Sequence, residues 1–106
     1  MSGNKSRSKG KRGNLAAKML LQSRDWLVSD LAEGISCEDL VATDPDGRTW
    51  SIEVKNTKNL MEAYIFQAKD QARRRKLPWM LMWHRPQSNN WFVMRQDKHD
   101  VVWGAF

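Results

Sequence analysis

The feature that most constrains this chain is a pair of apolar runs separated by a strong turn signal. The runs are Asp39-Leu40-Val41-Ala42 and Ile52-Glu53-Val54-Lys55, and Asp44-Pro45-Asp46-Gly47 lies between them. Pro presets the backbone for a turn, Gly accepts a positive φ, and Asp hydrogen-bonds to its own backbone. The sequence therefore predicts a hairpin of strands 38–43 and 48–56.

The second strand of this hairpin presents a charged pair. Successive side chains of a strand point to opposite faces, so Glu53 and Lys55 share one face while Ile52 and Val54 occupy the other. Because the chain doubles back, Asp39 is expected to reach the Glu53 side of the sheet.

This grouping favours metal-dependent phosphodiester chemistry. Mg²⁺ prefers oxygen ligands and usually takes one or two protein carboxylates, which Asp39 and Glu53 would supply. The ammonium group of Lys55 could orient an attacking water and offset charge on the scissile phosphate. The alternative is an ordinary amphipathic strand with a solvated Glu–Lys pair.

The remaining segments complete an α/β pattern. Helices are predicted at about 14–24 and 59–76, and further strands at 26–29, 79–84 and 91–95. Each helix is expected to bury one apolar stripe against the sheet. These stripes are Leu15, Met19 and Leu20 in the first helix, and Met61, Tyr64, Ile65, Ala68 and Ala72 in the second.

Polar residues of the second helix are expected beside the charged pair. Gln67 and Gln71 lie on a stripe next to the apolar one, where either could donate to a phosphate oxygen or hold a water. The run Arg73-Arg74-Arg75-Lys76 ends the helix and is expected to contact a neighbouring phosphate. Favourable charge at a helix C-terminus explains only one or two of these cations.

The excess positive charge lies at the N-terminus. The chain of 106 residues has 18 Lys and Arg and 12 Asp and Glu, a net charge of +6. Residues 1–12 contain no acidic residue and are basic at Lys5, Arg7, Lys9, Lys11 and Arg12. We expect this segment to be a disordered arm that binds DNA phosphates, with residues 13–106 as a single domain. A solubilising terminus is the alternative.

Composition excludes several other classes. Cys37 is the sole cysteine, so an intrachain disulfide and a cysteine-based zinc site are ruled out, and His84 and His99 are too few for a metal cluster. Most of the six Trp are expected to pack in the core or in a dimer contact. The apolar segment 101–106 is interpreted as a self-association patch. Without an apolar signal or spanning segment, an intracellular protein is expected.

In this setting the residues resemble the PD-(D/E)XK nuclease superfamily, most nearly the archaeal and phage-type Holliday-junction resolvases. The resemblance covers roughly the first two-thirds of the chain. It runs through Lys9-Gly10-Lys11-Arg12-Gly13, Leu20-Leu21, Asp39-Leu40-Val41-Ala42 and Ile52-Glu53-Val54-Lys55. It implies a restriction-endonuclease-like α/β fold, in which a small mixed sheet is flanked by helices in the order α-β-β-β-α-β.

The resemblance also implies an activity. A homodimer would cut four-way DNA junctions with Mg²⁺, for which Mn²⁺ could substitute, and leave 3′-hydroxyl and 5′-phosphate ends. Asp39, Glu53 and the Val54 carbonyl would bind the cation, and Lys55 would position or activate the water.

Asn14 departs from the family pattern. The family places a glutamate of the site at this position, whereas an asparagine brings no charge to a cation. Asn14 is therefore either a site residue or simply the N-cap of the first helix. A viral replication or repair nicking nuclease and a non-cleaving DNA-binding module stay open as alternatives.

Overall fold

The structure, a computed structural model, describes residues 15–29, 39–97 and 103–104, with only the backbone described at Asp39. The first helix, α1, occupies residues 15–23. The other elements are β1 (Leu27–Ser29), β2 (Asp39–Thr43), β3 (Thr49–Asn56), α2 (Glu62–Arg75), β4 (Trp79–His84), β5 (Asn90–Arg95) and β6 (Trp103–Gly104). Each predicted element is present with its ends shifted by a few residues, and β6 was not predicted.

The strands form one mixed sheet in the order β1-β2-β3-β4-β5-β6. The β3–β4 pair is parallel and the other four pairs are antiparallel. Helix α2 connects the parallel strands. Since α1 packs on one face and α2 on the other, the predicted class of a small mixed sheet flanked by helices is confirmed.

The β2–β3 turn is held by Asp44. Its Oδ1 accepts hydrogen bonds from the backbone N–H groups of Asp46 (3.0 Å) and Arg48 (2.9 Å). Its Oδ2 accepts one from the Trp50 indole (3.0 Å). Gly47 has φ 90°, a conformation that glycine adopts without strain. The predicted turn chemistry therefore fixes the hairpin register.

These bonds favour the ionised form of Asp44. Burial on its own raises the pKa of this carboxyl group, but the hydrogen bonds from Trp50, Arg48 and Asp46 together lower it. The net result is a pKa below the ordinary 3.8. The carboxylate thus stabilises the turn most when it is charged.

Two apolar clusters lie on opposite faces of the sheet. The α1 face carries the larger one, which joins Leu20 and Leu21 to buried residues of strands β2 to β6. The α2 face carries a smaller one, formed by Ala68, Ala72, Trp79 and Leu81. All six Trp are buried, which confirms the expectation of core packing. The members of the larger cluster include Trp26, Trp50, Trp91 and Trp103.

The predicted apolar stripe of α1 is wrong in two positions. Leu15 and Met19 are 58% and 48% exposed, whereas Ala17, Leu20 and Leu21 are buried. Residues at i, i+3 and i+4 share a helix face, and small Ala17 at the contact brings the helix close to the sheet. Leu15 and Met19 are the larger apolar side chains, but the helix contacts the sheet through the face that carries Ala17.

Met61 also does not face the sheet as predicted. It is the N-cap of α2, with φ −117° and ψ 140°, and its side chain is exposed. Because the helix begins at Glu62, Met61 lies outside the helical periodicity that placed it in the stripe.

Trp103 lies within the segment interpreted as a self-association patch, yet it is covered by this chain. It packs edge-on against Trp26, with ring centroids 5.9 Å apart, and the Arg24 guanidinium lies 4.5 Å from its ring. Residues 101, 102, 105 and 106 of this segment, the arm 1–12, Asn14, Cys37 and His99 lie outside the described residues. Within the described ranges, no helix has both the length and the hydropathy of a membrane span.

Candidate active site

The α2 face of β3 carries polar side chains that are nearly inaccessible to solvent. Ser51 and Glu53 alternate with the buried apolar residues of the opposite face. Moving a carboxylate out of water is costly unless it is paired. The burial of Glu53 therefore depends on what surrounds it.

Lys55 supplies the opposite charge. Its Nζ lies 3.4 Å from Glu53 Oε1, and the two side chains are 14% and 7% exposed. The same Nζ lies 5.2 Å from the centroid of the Tyr64 ring on α2. The ammonium group is thus held between a carboxylate and an aromatic face, both of which attract a cation.

Asp39 lies directly opposite Glu53 in the β2–β3 ladder. Hydrogen-bonded and non-hydrogen-bonded pairs alternate along antiparallel strands, and Asp44 N–H donates to the Arg48 carbonyl (2.8 Å) at the turn. Counting back from that pair, Asp39 and Glu53 occupy a non-hydrogen-bonded position, where Cα atoms are about 4.5 Å apart. The backbone register thus places Asp39 directly opposite Glu53.

The peptide groups of Val54 lie on the β2 side of β3. The Ser51 N–H donates to the Pro78 carbonyl across the parallel pair (2.9 Å), so odd-numbered residues of β3 use their peptide groups towards β4. Val54 therefore directs its carbonyl the other way, one residue beyond the Asp39–Glu53 pair. That position is compatible with a ligand role for this carbonyl.

This set of donors fits a hard divalent cation. Two carboxylate positions and one backbone carbonyl match Mg²⁺, which keeps several positions for water and phosphate oxygens. In the part of the chain that the structure describes, no three His, Cys, Asp or Glu side chains come together, as a site closed entirely by protein groups would need.

Helix α2 places its polar residues at different depths. Arg75 is half-buried and its Nη1 donates to Ser51 Oγ (3.1 Å). Gln71 is half-buried, whereas Gln67 is exposed. Of the two glutamines, Gln71 is therefore the one enclosed at the helix–sheet boundary.

The basic run at the end of α2 is not one uniform surface. Arg73 and Arg74 are exposed and each pairs with Asp70, at 3.3 and 3.0 Å. Lys76 is the C-cap, with φ 58°. Since Arg75 instead reaches Ser51, the four cations lie in three distinct environments.

Tyr64 is a residue of this site that the sequence did not reveal as such. Helical spacing predicted that it faces the sheet, and it is half-buried there. Its contact with Lys55 depends on the distance between α2 and β3, which spacing within the helix does not give. An aromatic residue on the inner face of the helix was the only available signal.

His84 has a structural environment. Its Nδ1 lies 3.3 Å from Asn56 Oδ1, its Nε2 contacts the Ser88 carbonyl, and its ring stacks on Trp91 at 4.8 Å. These contacts account for His84 as a polar group at the end of β4.

Comparisons with known proteins identify the fold. No protein-family profile matches the sequence, and no curated protein matches it. Among solved structures, the chain is similar to Hjc, a Holliday junction resolvase from the archaeal hyperthermophile Archaeoglobus fulgidus, with a TM-score of 0.57 and 19% sequence identity. The similarity covers 88% of this chain and 86% of that chain. The chain therefore shares the fold of this structure, which confirms the resemblance at the level of fold.

Proposed function

We propose that the chain is a metal-dependent, structure-specific DNA endonuclease that cuts four-way junctions, as a Holliday-junction resolvase does. The observation that carries this proposal is the buried Glu53–Lys55 pair on β3, with Asp39 opposite Glu53 in the register. The similarity of the fold to a Holliday junction resolvase supports it.

The proposed cation ligands are the Asp39 and Glu53 carboxylates and the Val54 carbonyl, with Mg²⁺ as the metal and Mn²⁺ as a substitute. A bound divalent cation supplies Lewis-acid stabilisation of the negative charge that develops on the phosphoryl oxygens. Glu53 is already screened from bulk water, so its charge acts on a bound cation in a low-dielectric setting.

Lys55 has a separate role. Its ammonium group donates a hydrogen bond to the attacking water or to a phosphate oxygen and offsets charge in the transition state. Glu53 and Tyr64 hold it on two sides, so little reorganisation is needed when substrate binds. Gln71, and Gln67 from the exposed side of α2, are proposed to donate to phosphate oxygens.

DNA binding is proposed to use surfaces beyond the catalytic groups. The basic residues of the arm, Lys5, Arg7, Lys9, Lys11 and Arg12, and those ending α2, Arg73 to Lys76, would contact phosphates. A two-fold homodimer would present two sites to a branched substrate of matching symmetry. We place this activity inside the cell, with the DNA.

Cleavage of labelled DNA tests the proposal. The chain, Glu53→Gln and Asn14→Glu are incubated with four-way junction, duplex or single-stranded DNA in Mg²⁺ or Mn²⁺. We expect symmetric junction cleavage that falls by on the order of 1,000-fold in Glu53→Gln, the scale of losing one preorganised electrostatic group. Junction affinity should be retained or increased, since the substitution removes a charge that repels phosphate.

The Asn14→Glu variant separates the alternatives. Cleavage by this variant alone would mean that the site is correctly assigned but the chain itself is a DNA-binding module. If neither the unmodified chain nor Asn14→Glu cuts the junction or binds it selectively, the resolvase proposal fails. Cleavage that is unaffected by Glu53→Gln would refute the assigned site.

A further inference from the structure

Two cations lie at the edge of the sheet where the parallel strands end. Lys58 follows β3 by two residues and Arg85 follows β4 directly, and both side chains are exposed. Parallel strands bring their carboxyl ends to the same edge, and α/β sheets commonly bind ligands there. We call Lys58 and Arg85 the carboxyl-edge pair.

Hydrogen bonds fasten the two loops to each other. Arg85 Nε donates to the Lys58 carbonyl (3.2 Å), and Thr57 N–H donates to the His84 carbonyl (3.1 Å). Thr57 Oγ1 accepts a bond from the Trp83 indole (2.9 Å) and donates to the Asn59 carbonyl (2.9 Å). The backbone that carries both cations is therefore held in place by β4.

The carboxyl-edge pair lies next to the candidate active site. Trp83 pairs with Lys55 in the parallel register, so the two residues occupy adjacent strands on the face that also carries Glu53. The Arg85 guanidinium lies 5.7 Å from the Trp83 ring. Arg85 is thus separated from Lys55 by one aromatic side chain.

The charges of this pair are available to an anionic ligand. Across residues 15–29, 39–97 and 103–104, neither Lys58 nor Arg85 forms an ion pair, and Arg85 uses only Nε in a hydrogen bond. The terminal N–H groups of a guanidinium form a planar fork, a geometry suited to phosphate.

We infer that Lys58 and Arg85 bind the DNA backbone at the phosphates flanking the one that is cut, a role that rests on the proposed function. Lys58 acts as a point charge and Arg85 as a two-pronged donor. Together they fix the register of the strand so that the scissile phosphate lies over Glu53 and Lys55. Phosphate contacts of this kind position a nucleic acid without reading its sequence.

A salt titration of junction binding tests this inference, with a control pair of cations near the other ends of the same two strands. Lys58→Gln/Arg85→Gln is compared with Arg48→Gln/Lys69→Gln, measured by anisotropy of a labelled four-way junction in EDTA. The control cations also lie over Trp rings, at Trp50 and Trp79, near the opposite ends of β3 and β4. Both doubles remove the same charge, and thermal melting checks that each is folded.

The test double should lose about 0.9 of salt slope for each phosphate contact removed. If both cations contact a phosphate, the loss of affinity caused by the double substitution should be about 12-fold larger in 50 mM than in 200 mM NaCl. The control double should change the slope little. If instead both doubles behave alike, the carboxyl-edge pair has no special role and the inference is overturned while the proposed function stands.

A second measurement locates the contact. Methylphosphonates replace the phosphates flanking the cut, which should weaken binding by the unmodified chain but weaken the test double no further. If the methylphosphonates weaken binding by the test double as much as binding by the unmodified chain, the assigned position is overturned. If the unmodified chain binds no DNA, the proposed function fails and this inference fails with it.

Discussion

The two faces of β3 differ in what they bury. Trp50, Ile52 and Val54 point into the larger apolar cluster, whereas Ser51 and Glu53 are buried on the α2 face. The two faces of this eight-residue strand are therefore similarly buried but differ in chemistry. Apolar burial lowers the free energy of the folded state, while burial of a carboxylate raises it unless a partner compensates.

The difference shows which face is shaped by stability and which by chemistry. On the apolar face, the buried Trp50 indole nitrogen donates its hydrogen bond to Asp44 in the β2–β3 turn. On the other face, the Glu53–Lys55 pair lies at the helix–sheet boundary. A fold under selection for stability alone would be better served by apolar residues there.

The largest effect on stability is expected on the apolar face. Ile52→Ala should lower the free energy of unfolding by about 2–5 kcal/mol, because it leaves a cavity in a closely packed cluster. Ser51→Ala, one residue away, should cost only about 1 kcal/mol through the lost Arg75 bond. Urea unfolding followed by Trp fluorescence measures both. Equal costs for the two variants would break the distinction between the faces.

An intermediate effect of opposite sign is expected on the polar face. Glu53→Leu/Lys55→Leu should raise the free energy of unfolding by about 1–4 kcal/mol, since two desolvated charges are replaced by apolar groups. Junction cleavage should be abolished. Glu53→Leu alone is the control and should destabilise, because it removes the carboxylate that lies 3.4 Å from the largely buried Lys55 ammonium group. A double variant less stable than the parent would show that the pair serves the fold.

The smallest effect is expected at Asp44, where the apolar face meets the turn. Its pKa is lowered in the folded state, so its contribution is present above the unfolded pKa near 3.8 and is lost as pH falls through the folded pKa. Asp44→Asn cannot accept the same set of hydrogen bonds and should cost about 1 kcal/mol at pH 7. Chemical unfolding between pH 7 and 2 should show the difference shrink below about pH 4. A pH-independent difference would contradict this account.

The sequence predicted those parts of the fold that local chemistry determines. The β2–β3 hairpin is correct because Asp44 and Gly47 carry the turn in their own side-chain and backbone properties. The positions of Glu53 and Lys55 follow from strand alternation, and the register places Asp39 opposite Glu53. These inferences needed no knowledge of distant contacts.

The remaining features depend on contacts between distant segments. β6 has two residues and no pattern of its own, and it is defined only by pairing with β5. Arg75 could not be distinguished from Arg73 and Arg74 until the helix was placed over Ser51. Similarly, Lys58 and Arg85 become neighbours only because β3 and β4 run parallel.

The sheet order has a consequence for folding kinetics. Strands β1 to β3 and β4 to β6 each contain only antiparallel neighbours that follow one another in the chain, whereas β3 and β4 must find each other across α2. Closing such a long connection costs more chain entropy than forming a hairpin, so the parallel pair is expected to form more slowly. The Ser51 N–H donates to the Pro78 carbonyl between β3 and β4, so its protection from hydrogen exchange reports when these two strands pair. Because Lys55 and Arg85 lie on opposite sides of the β3–β4 pairing, the proposed DNA-binding site is expected to form only when these two strands pair.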